Sequence, residues 1–479
     1  MHLAKCAPCA EEWAALQRLA ASAGALRAEA VSDATAAAIW ARREAGAPVF
    51  RYLTRRMVAI IVACATSLVV VGAELRRATA PSAETLRVAA LVEADTRELA
   101  AELARPMPSP NGVDDLVAAV KLLKAAGGSD RLWPSGGSQP DLRGEQAVAA
   151  ANGPALARMR LGLSRECRIR PAMLAYSTQY RDVRELSRLL LAEGDAAASR
   201  GDLAAVVRAA VDAVRLGNAA ANWGAVADAQ VADACVRNGV WPLVRNLERL
   251  DAGQCLAAAS GLTAEARRRP PISEAILRER LVQWKDLAQF PPQGWVGRWL
   301  LNPKRTELDL AGYQADWRRE ADKPQALRRP VSLRRGVWTS LMLPSLERAA
   351  YMHDAGTAHL RCLVAALRVR AYRLRRGTLP ASLAEAGVPR DMRTDPYTGG
   401  ELKYQPAAGA FLLYSVGPNL RDDGGIPLPE NLAEPGDSPP GDIGVARYAR
   451  SADGKPFRMN PDRVPNMLPD PDLTRTRQR

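Results

Sequence analysis

Histidine is scarce in this chain of 479 residues, which contains three. Two of them, His353 and His359, fall six positions apart in one predicted helix and so face different directions. That spacing excludes the i, i+4 histidine pair of a helical metal site. The sequence also lacks a nucleophile elbow, a phosphate-binding loop, a dinucleotide glycine fingerprint and a zinc-protease helix. Catalysis by aspartate and glutamate from distant segments stays open, because it leaves no spacing to detect.

Lysine is also rare. The net charge is +14, yet only eight of the 66 basic residues are lysine and the remainder are arginine. The arginines are spread along an alanine-rich chain, which is typical of a coding bias rather than of one basic face. We therefore expect no nucleic-acid partner, and a diffuse attraction to anionic lipid instead.

Long, predominantly apolar runs without charge are absent except for one, Met57 to Ala73, with seventeen residues. As a helix it would span about 25 Å of a hydrocarbon core about 30 Å thick. Five arginines precede it within fifteen residues and two follow it directly. This excess predicts a single transmembrane anchor at residues 57–73 that contacts lipid, with a cytoplasmic N-terminus and an extracytoplasmic bulk.

Two other interpretations of this run stay open. A buried helix of a soluble protein can be equally apolar. A cleaved signal peptide is the second, because residues 71–73 and 78–80 both resemble small-residue cleavage sites.

Hydrophobic periodicity predicts a mainly α-helical chain, a helical bundle that follows one transmembrane helix, with a small C-terminal α+β domain. The predicted segments are a cytoplasmic helical part at 1–50, the anchor at 57–73, an extracytoplasmic helical domain at 82–344, a helix with a small antiparallel sheet at 345–446, and a disordered tail at 447–479.

One helical hairpin is clearest, over residues 184–217. A turn at 199–202 separates two apolar stripes, with Asp202 as the N-cap of the second helix and Gly217 as its end. Its size is tetratricopeptide-like. Because a repeat array needs about three units and only one is evident, a bundle with such hairpins is the expectation.

Further helices are predicted at 82–105, 113–126, 272–289 and 345–376, and six prolines predict an irregular connector at 290–345. Four cysteines of the exported part are spread singly along these helices: Cys167, Cys235, Cys255 and Cys362. This favours small buried apolar residues over disulfides, although three pairings stay open.

The C-terminal part has a distinctive order of short motifs. TDPYTGG at 394–400 precedes LKY at 402–404 and FLLYSVGPN at 411–419, and the acidic stretches DDGG at 422–425 and GDIG at 441–444 follow. Their alternating apolar residues predict a β-hairpin next to a carboxylate-rich loop.

These motifs, with the long helix before them, resemble the globular tip of the major pseudopilin of type II secretion over roughly residues 350–445. As a whole, the chain resembles an uncharacterised family of membrane-anchored bacterial proteins. The resemblance implies an inner-membrane location in bacteria. Two departures stand out: the anchor lies nearly three hundred residues upstream of the tip, and no pseudopilin processing motif flanks it.

The resemblance also implies calcium in the acidic loop. The implied ligands are the carboxylates of Asp422, Asp423, Asp437 and Asp442, with carbonyls near Val416 and Asn419. Calcium takes six to eight oxygen ligands, which such a loop can supply. The alternative is a solvated acidic loop without metal.

The expected function is that of a non-enzymatic, membrane-anchored extracytoplasmic scaffold or interaction protein with protein partners, linked to type II secretion or pilus-like assemblies. A true pseudopilin-type component that polymerises and an exported hydrolase that uses Asp or Glu residues are the alternatives.

Overall fold

The computed structural model describes residues 83–125, 142–173, 177–289, 303–331, 346–407, 410–425 and 441–444. The chain divides into two units, Met1–Val88 and Ala89–Arg479, and all contacts discussed below lie in the second. The predicted segments at 1–50, 57–73 and 447–479 fall outside the described residues. Among the described helices, none is both long and apolar enough to cross a membrane.

The described residues form a mainly helical structure with one small antiparallel sheet, so the coarse fold class is confirmed. Twelve α-helices fall within these ranges: α1 Ala83–Ala104, α2 Gly112–Ala125, α3 Leu142–Ala151, α4 Gly153–Leu163, α5 Ser177–Ser199, α6 Leu203–Ala221, α7 Val226–Asn246, α8 Ala252–Arg268, α9 Ile272–Gln289, α10 Pro303–Ala321, α11 Leu346–Arg376 and α12 Arg390–Arg393.

The sheet has the strand order β1-β2-β3, with β1 at Lys403–Ala407, β2 at Ala410–Ser415 and β3 at Ile443–Gly444. Both pairs are antiparallel; β1 pairs with β2 from Lys403 opposite Tyr414, and Ser415 pairs with Ile443. The predicted hairpin is therefore present, and a third strand from the GDIG motif completes it.

The turn between α5 and α6 confirms the predicted start of the second hairpin helix. Gly201 has a φ of 78°, and the Asp202 side chain accepts a hydrogen bond from the Ala205 amide at 3.0 Å. The predicted end at Gly217 is wrong, because α6 continues to Ala221. A Cβ atom on Gly217 would lie 2.8 Å from the Ala232 carbonyl oxygen. This glycine therefore permits close contact with α7 rather than ending a helix.

The predicted irregular connector at 290–345 is wrong in part, because α10 occupies residues 303–321. Two prolines of this segment lie at the two ends of the helix and do not interrupt it. Pro303 is the first helical residue, where the missing amide hydrogen costs nothing, and Pro324 follows the end. Residues 290–302 and 332–345 lie outside the described ranges.

Helix α11 contributes residues to three of the four hydrophobic clusters among the described residues. It packs against α7 and α8 on one side and beneath β2 and β3 on the other. One hydrophobic cluster joins Val206 of α6 and Leu262 of α8 to Leu367 of α11 and Leu413 of β2. The predicted division between 82–344 and 345–446 stays a prediction, but its two sides share this core.

The four cysteines of the described part are buried and unbridged, as predicted: Cys167, Cys235, Cys255 and Cys362. Burial raises the pKa of the Cys235 thiol to about 12, so it is protonated at neutral pH. These residues act as small apolar side chains.

Alanine and glycine set the distance between α6 and α7. A Cβ atom on Gly239 would lie 1.8 Å from the Cβ of Ala213, which is far inside van der Waals contact. No rotamer change can relieve such a clash, because neither side chain has a rotatable bond.

We predict that Gly239→Ala lowers the free energy of unfolding by about 2 kcal/mol through overpacking, although alanine is the better helix former. The double variant Ala213→Gly with Gly239→Ala moves the methyl group to the other helix and should recover most of the loss. Thermal unfolding followed by circular dichroism measures both. Equal stability of Gly239→Ala and the unchanged chain would contradict the close approach.

Candidate functional site

The Asp395 carboxylate fixes the Asp-Pro turn to the end of β2. Asp395 is completely buried, and its Oδ1 accepts hydrogen bonds from the Tyr397 amide at 2.8 Å and the Ser415 hydroxyl at 2.9 Å. Its Oδ2 accepts from the Val416 amide at 3.1 Å. Three donors therefore hold this charge, and through it the loop that starts after Ser415.

The structure brings three of the four predicted calcium ligands together in that loop. Asp442 is buried, and its carboxylate accepts from the Gly425 amide at 2.7 Å and from the Asp423 amide at 3.3 Å. Asp423 in turn accepts from the Gly441 amide at 2.6 Å. These bonds join residues 423–425 to residues 441–442. The fourth predicted ligand, Asp437, falls outside the described residues.

Asp422 is held on the outer side of the same loop. Its carboxylate accepts from the Tyr414 hydroxyl at 2.8 Å and lies 3.2 Å from the Lys403 ammonium. Burial acts to raise the pKa of Asp422, but the donors from Tyr414, the Gly424 amide and Lys403 prevail and lower it. By contrast, burial raises the pKa of Asp442 to about 7, and the Asp423 and Asp422 charges act in the same direction.

The carboxylate oxygens that would bind a calcium ion already accept hydrogen bonds from the amides and side chains that hold the loop. Asn419 also donates to Asp423, at 2.7 Å. Within the described ranges, no three histidine, cysteine, aspartate or glutamate side chains are grouped to hold a metal ion. Calcium at this loop thus stays a prediction, and binding there would require carboxylates to exchange amide donors for the ion.

A second cluster of charges lies where α7 and α11 pack together. The Arg269 guanidinium donates to the Asp233 carboxylate of α7 and lies 3.2 Å from Nδ1 of His353 on α11. Sequence reasoning missed this cluster. Its members are far apart in the chain and none belongs to a motif, so no local pattern could have indicated it.

Asp354 extends the cluster toward the sheet. The Arg328 guanidinium donates to it at 2.9 Å. Burial, together with the Asp354 charge, raises the pKa of the fully buried Tyr397 well above its usual range. Burial raises the pKa of Asp354 to about 7 despite Arg328, and the Asp233 charge adds to the rise. Burial also lowers the pKa of His353 well below its usual range, helped by Arg269. The imidazole is therefore neutral, and the cluster is held by arginine–carboxylate pairs.

Two cavities open near charged side chains in the described part of the chain. One is lined by Asp233, and the other by Asp182 and Asp228. Burial raises the pKa of Asp228 to about 7, although its carboxylate accepts from the Ala225 amide. Asp354 lines neither cavity, so neither presents the Asp233 and Asp354 carboxylates together to a substrate.

We predict that stability falls as pH rises through neutrality. Asp354 binds a proton more tightly in the folded chain than in the unfolded chain. Its contribution to the free energy of unfolding is therefore complete below about pH 4 and is lost as the pH rises through about 7. Asp354→Asn should flatten the decrease in unfolding free energy between pH 5 and pH 8, with an upper limit of about 3 kcal/mol, because the folded pKa of about 7 lies about two units above the start of this range. Asp391→Asn is the control, because Arg267 lowers the pKa of that exposed carboxyl. An unchanged slope in Asp354→Asn would contradict the assignment.

Comparison of the chain with protein-family models, with curated proteins and with solved structures finds no match in any of the three.

Proposed function

We propose that this chain is a non-enzymatic, membrane-anchored scaffold of the bacterial envelope, linked to type II secretion or pilus-like assemblies. In this proposal residues 57–73 anchor it in the inner membrane, and the rest lies outside the cytoplasm. The observation that carries it is the shared core around α11, which packs the sheet against the helical body. We call the Asp-Pro turn, the sheet and the described part of the acidic loop the cap (residues 394–407, 410–425 and 441–444). A helical body that carries such a cap suits a protein that positions partners.

The finer fold assignments belong to this proposal. The α5–α6 hairpin, with its small-residue contacts to α7, supports a tetratricopeptide-like body. A pseudopilin-like cap is supported by the succession of a long helix, the Asp395 turn, an antiparallel hairpin, an acidic loop and a short closing strand.

An exposed apolar surface lies at the edge of the cap. We call it the cap rim. It comprises the exposed residues of the segments 324–327, 396–399 and 417–420, which are Ala326, Leu327, Gly399 and Leu420. The backbone amide of Gln325 donates to the Pro396 carbonyl at 3.2 Å, and its side chain donates to the Pro418 carbonyl at 2.9 Å. These bonds join the three segments into one surface.

Two leucines stand out on the cap rim. Leu327 is 63% exposed and Leu420 is 41% exposed. Leu420 also has a φ of 57°, a left-handed conformation that is strained for a branched side chain. Exposed apolar residues and strained backbone both concentrate at interaction sites. Arg421 is exposed next to it, so a partner with apolar side chains and an acidic margin fits this surface best.

We predict that protease added to spheroplasts digests an epitope placed after Arg479 and spares one placed before Met1. The predicted topology requires this result, because only the short N-terminal piece lies in the cytoplasm. Release of a soluble C-terminal fragment that lacks the N-terminal epitope would instead indicate a cleaved signal peptide. Protection of both epitopes would contradict export.

We predict that the cap rim is required for partner binding. The double variant Leu327→Asp with Leu420→Asp should lose envelope proteins that crosslink to the membrane-extracted chain. Leu374→Asp is the matched control, since this leucine of the last turn of α11 is 48% exposed. Identical partner lists from both variants, with unchanged melting temperatures, would contradict the proposed surface.

Calcium is a second variable of the same experiment. If the ion stabilises the acidic loop, as the resemblance implies, calcium should raise the melting temperature and a chelator should release partners captured through the cap. Identical melting curves and partner lists in calcium and in chelator would leave calcium without a role, while the scaffold proposal would still depend on the leucine variants.

A further inference from the structure

Helices α7 and α11 leave a cavity between them, which we call the α7–α11 cavity. Its space is about 530 Å³, part of which is open to solvent. The walls are mainly apolar and come from Val236, Val240 and Val244 of α7 and from Leu360 and Leu363 of α11. From Val236 to Val244 the wall runs about 12 Å along the helix axis.

One end of the cavity is polar. Asp233 lines it and is only 1% exposed. One carboxylate oxygen accepts from Arg269, but Oδ2 has no hydrogen-bond partner among the described residues. Gly356 lies opposite, and a Cβ atom there would be 2.7 Å from Oδ1 of Asp233. Because residue 356 is glycine, α11 places no side chain into this end of the cavity at that position.

Two further polar groups line the same space. The indole nitrogen of Trp241 is buried without a hydrogen-bond partner in the described part of the chain. Nδ1 of His359 lies 2.9 Å from the Ala355 carbonyl oxygen and donates to it, which leaves Nε2 as an acceptor. Buried polar atoms in folded proteins are nearly always paired, so unpaired ones in a cavity indicate a missing polar group.

We propose that the α7–α11 cavity binds a neutral, mainly aliphatic molecule with a hydroxyl group, which hydrogen-bonds to Oδ2 of Asp233 while the hydrocarbon part lies along Val240 and Leu363. A cationic group is disfavoured because Arg269 and Arg237 already bring positive charge to this end. A carboxylate is disfavoured because Asp233 would repel it. A hydroxyl group needs no charge compensation and can both donate and accept.

The test uses a photoreactive hexanol that carries a diazirine on its chain, added to the full chain in detergent. Irradiation should label peptides that contain residues 236–244 and 356–363, as identified by mass spectrometry. An excess of 1-hexanol should compete, and the diazirine probe without the hydroxyl group should label these peptides about tenfold less. Equal labelling by the two probes would overturn the proposal, because the unpaired carboxylate oxygen would then contribute nothing.

A variant that fills the cavity provides the second test. Val240→Trp places an indole in the apolar part and should abolish labelling of both peptides. Leu374→Trp adds the same ring at the exposed end of α11 and should leave labelling unchanged. Persistent labelling in a folded Val240→Trp variant would overturn the proposed position. If that variant fails to fold, the comparison of the two probes and the 1-hexanol competition on the unchanged chain still decide the question.

Discussion

Close contact between helices built from small side chains is the constraint on which this structure depends. Where Ala213 faces Gly239, the two backbones approach so closely that one methyl group fills the available space. Short side chains bury little apolar area each, so such helices exclude water only when their axes lie near each other. Long helices such as α11 can therefore pack densely, but no larger residue fits at the contact.

Backbone carbonyls and an aromatic ring hold a buried arginine in this structure. Arg168 is buried with its guanidinium 3.3 Å from the centre of the Trp223 ring, and it donates to carbonyls of Glu102, Arg105 and Pro106 at the end of α1. The carbonyl end of a helix and an aromatic face both attract a cation. Removing one partner of such a group is costly because it leaves a buried charge uncompensated.

Features that depend on neighbouring residues could be predicted from the sequence. The turn at Gly201 with the Asp202 cap, the β1–β2 hairpin and the length of α11 follow from local patterns, and the structure contains them. Glycine occurs both at helix ends and where two helices make close contact, so the sequence alone could not decide the role of Gly217. The position of α7 decides it. Helix α10 was not predicted, because proline occurs at helix boundaries as well as in loops. The Asp233 cluster had no local pattern, since tertiary packing alone brings Arg269 and His353 to it.

The position of the acidic loop follows from this packing as well. Tyr397 and Ile443 pack with Met352 and Ala355 of α11, so the Asp-Pro turn and the last strand rest on the helix that also carries Asp354. Asp395 then ties the turn to the strand that precedes the acidic loop. The loop is held by elements that are themselves held by the helical body. An isolated segment 345–446 would keep the helix on which its sheet packs, but it would expose the apolar face of α11 that packs on α7 and α8.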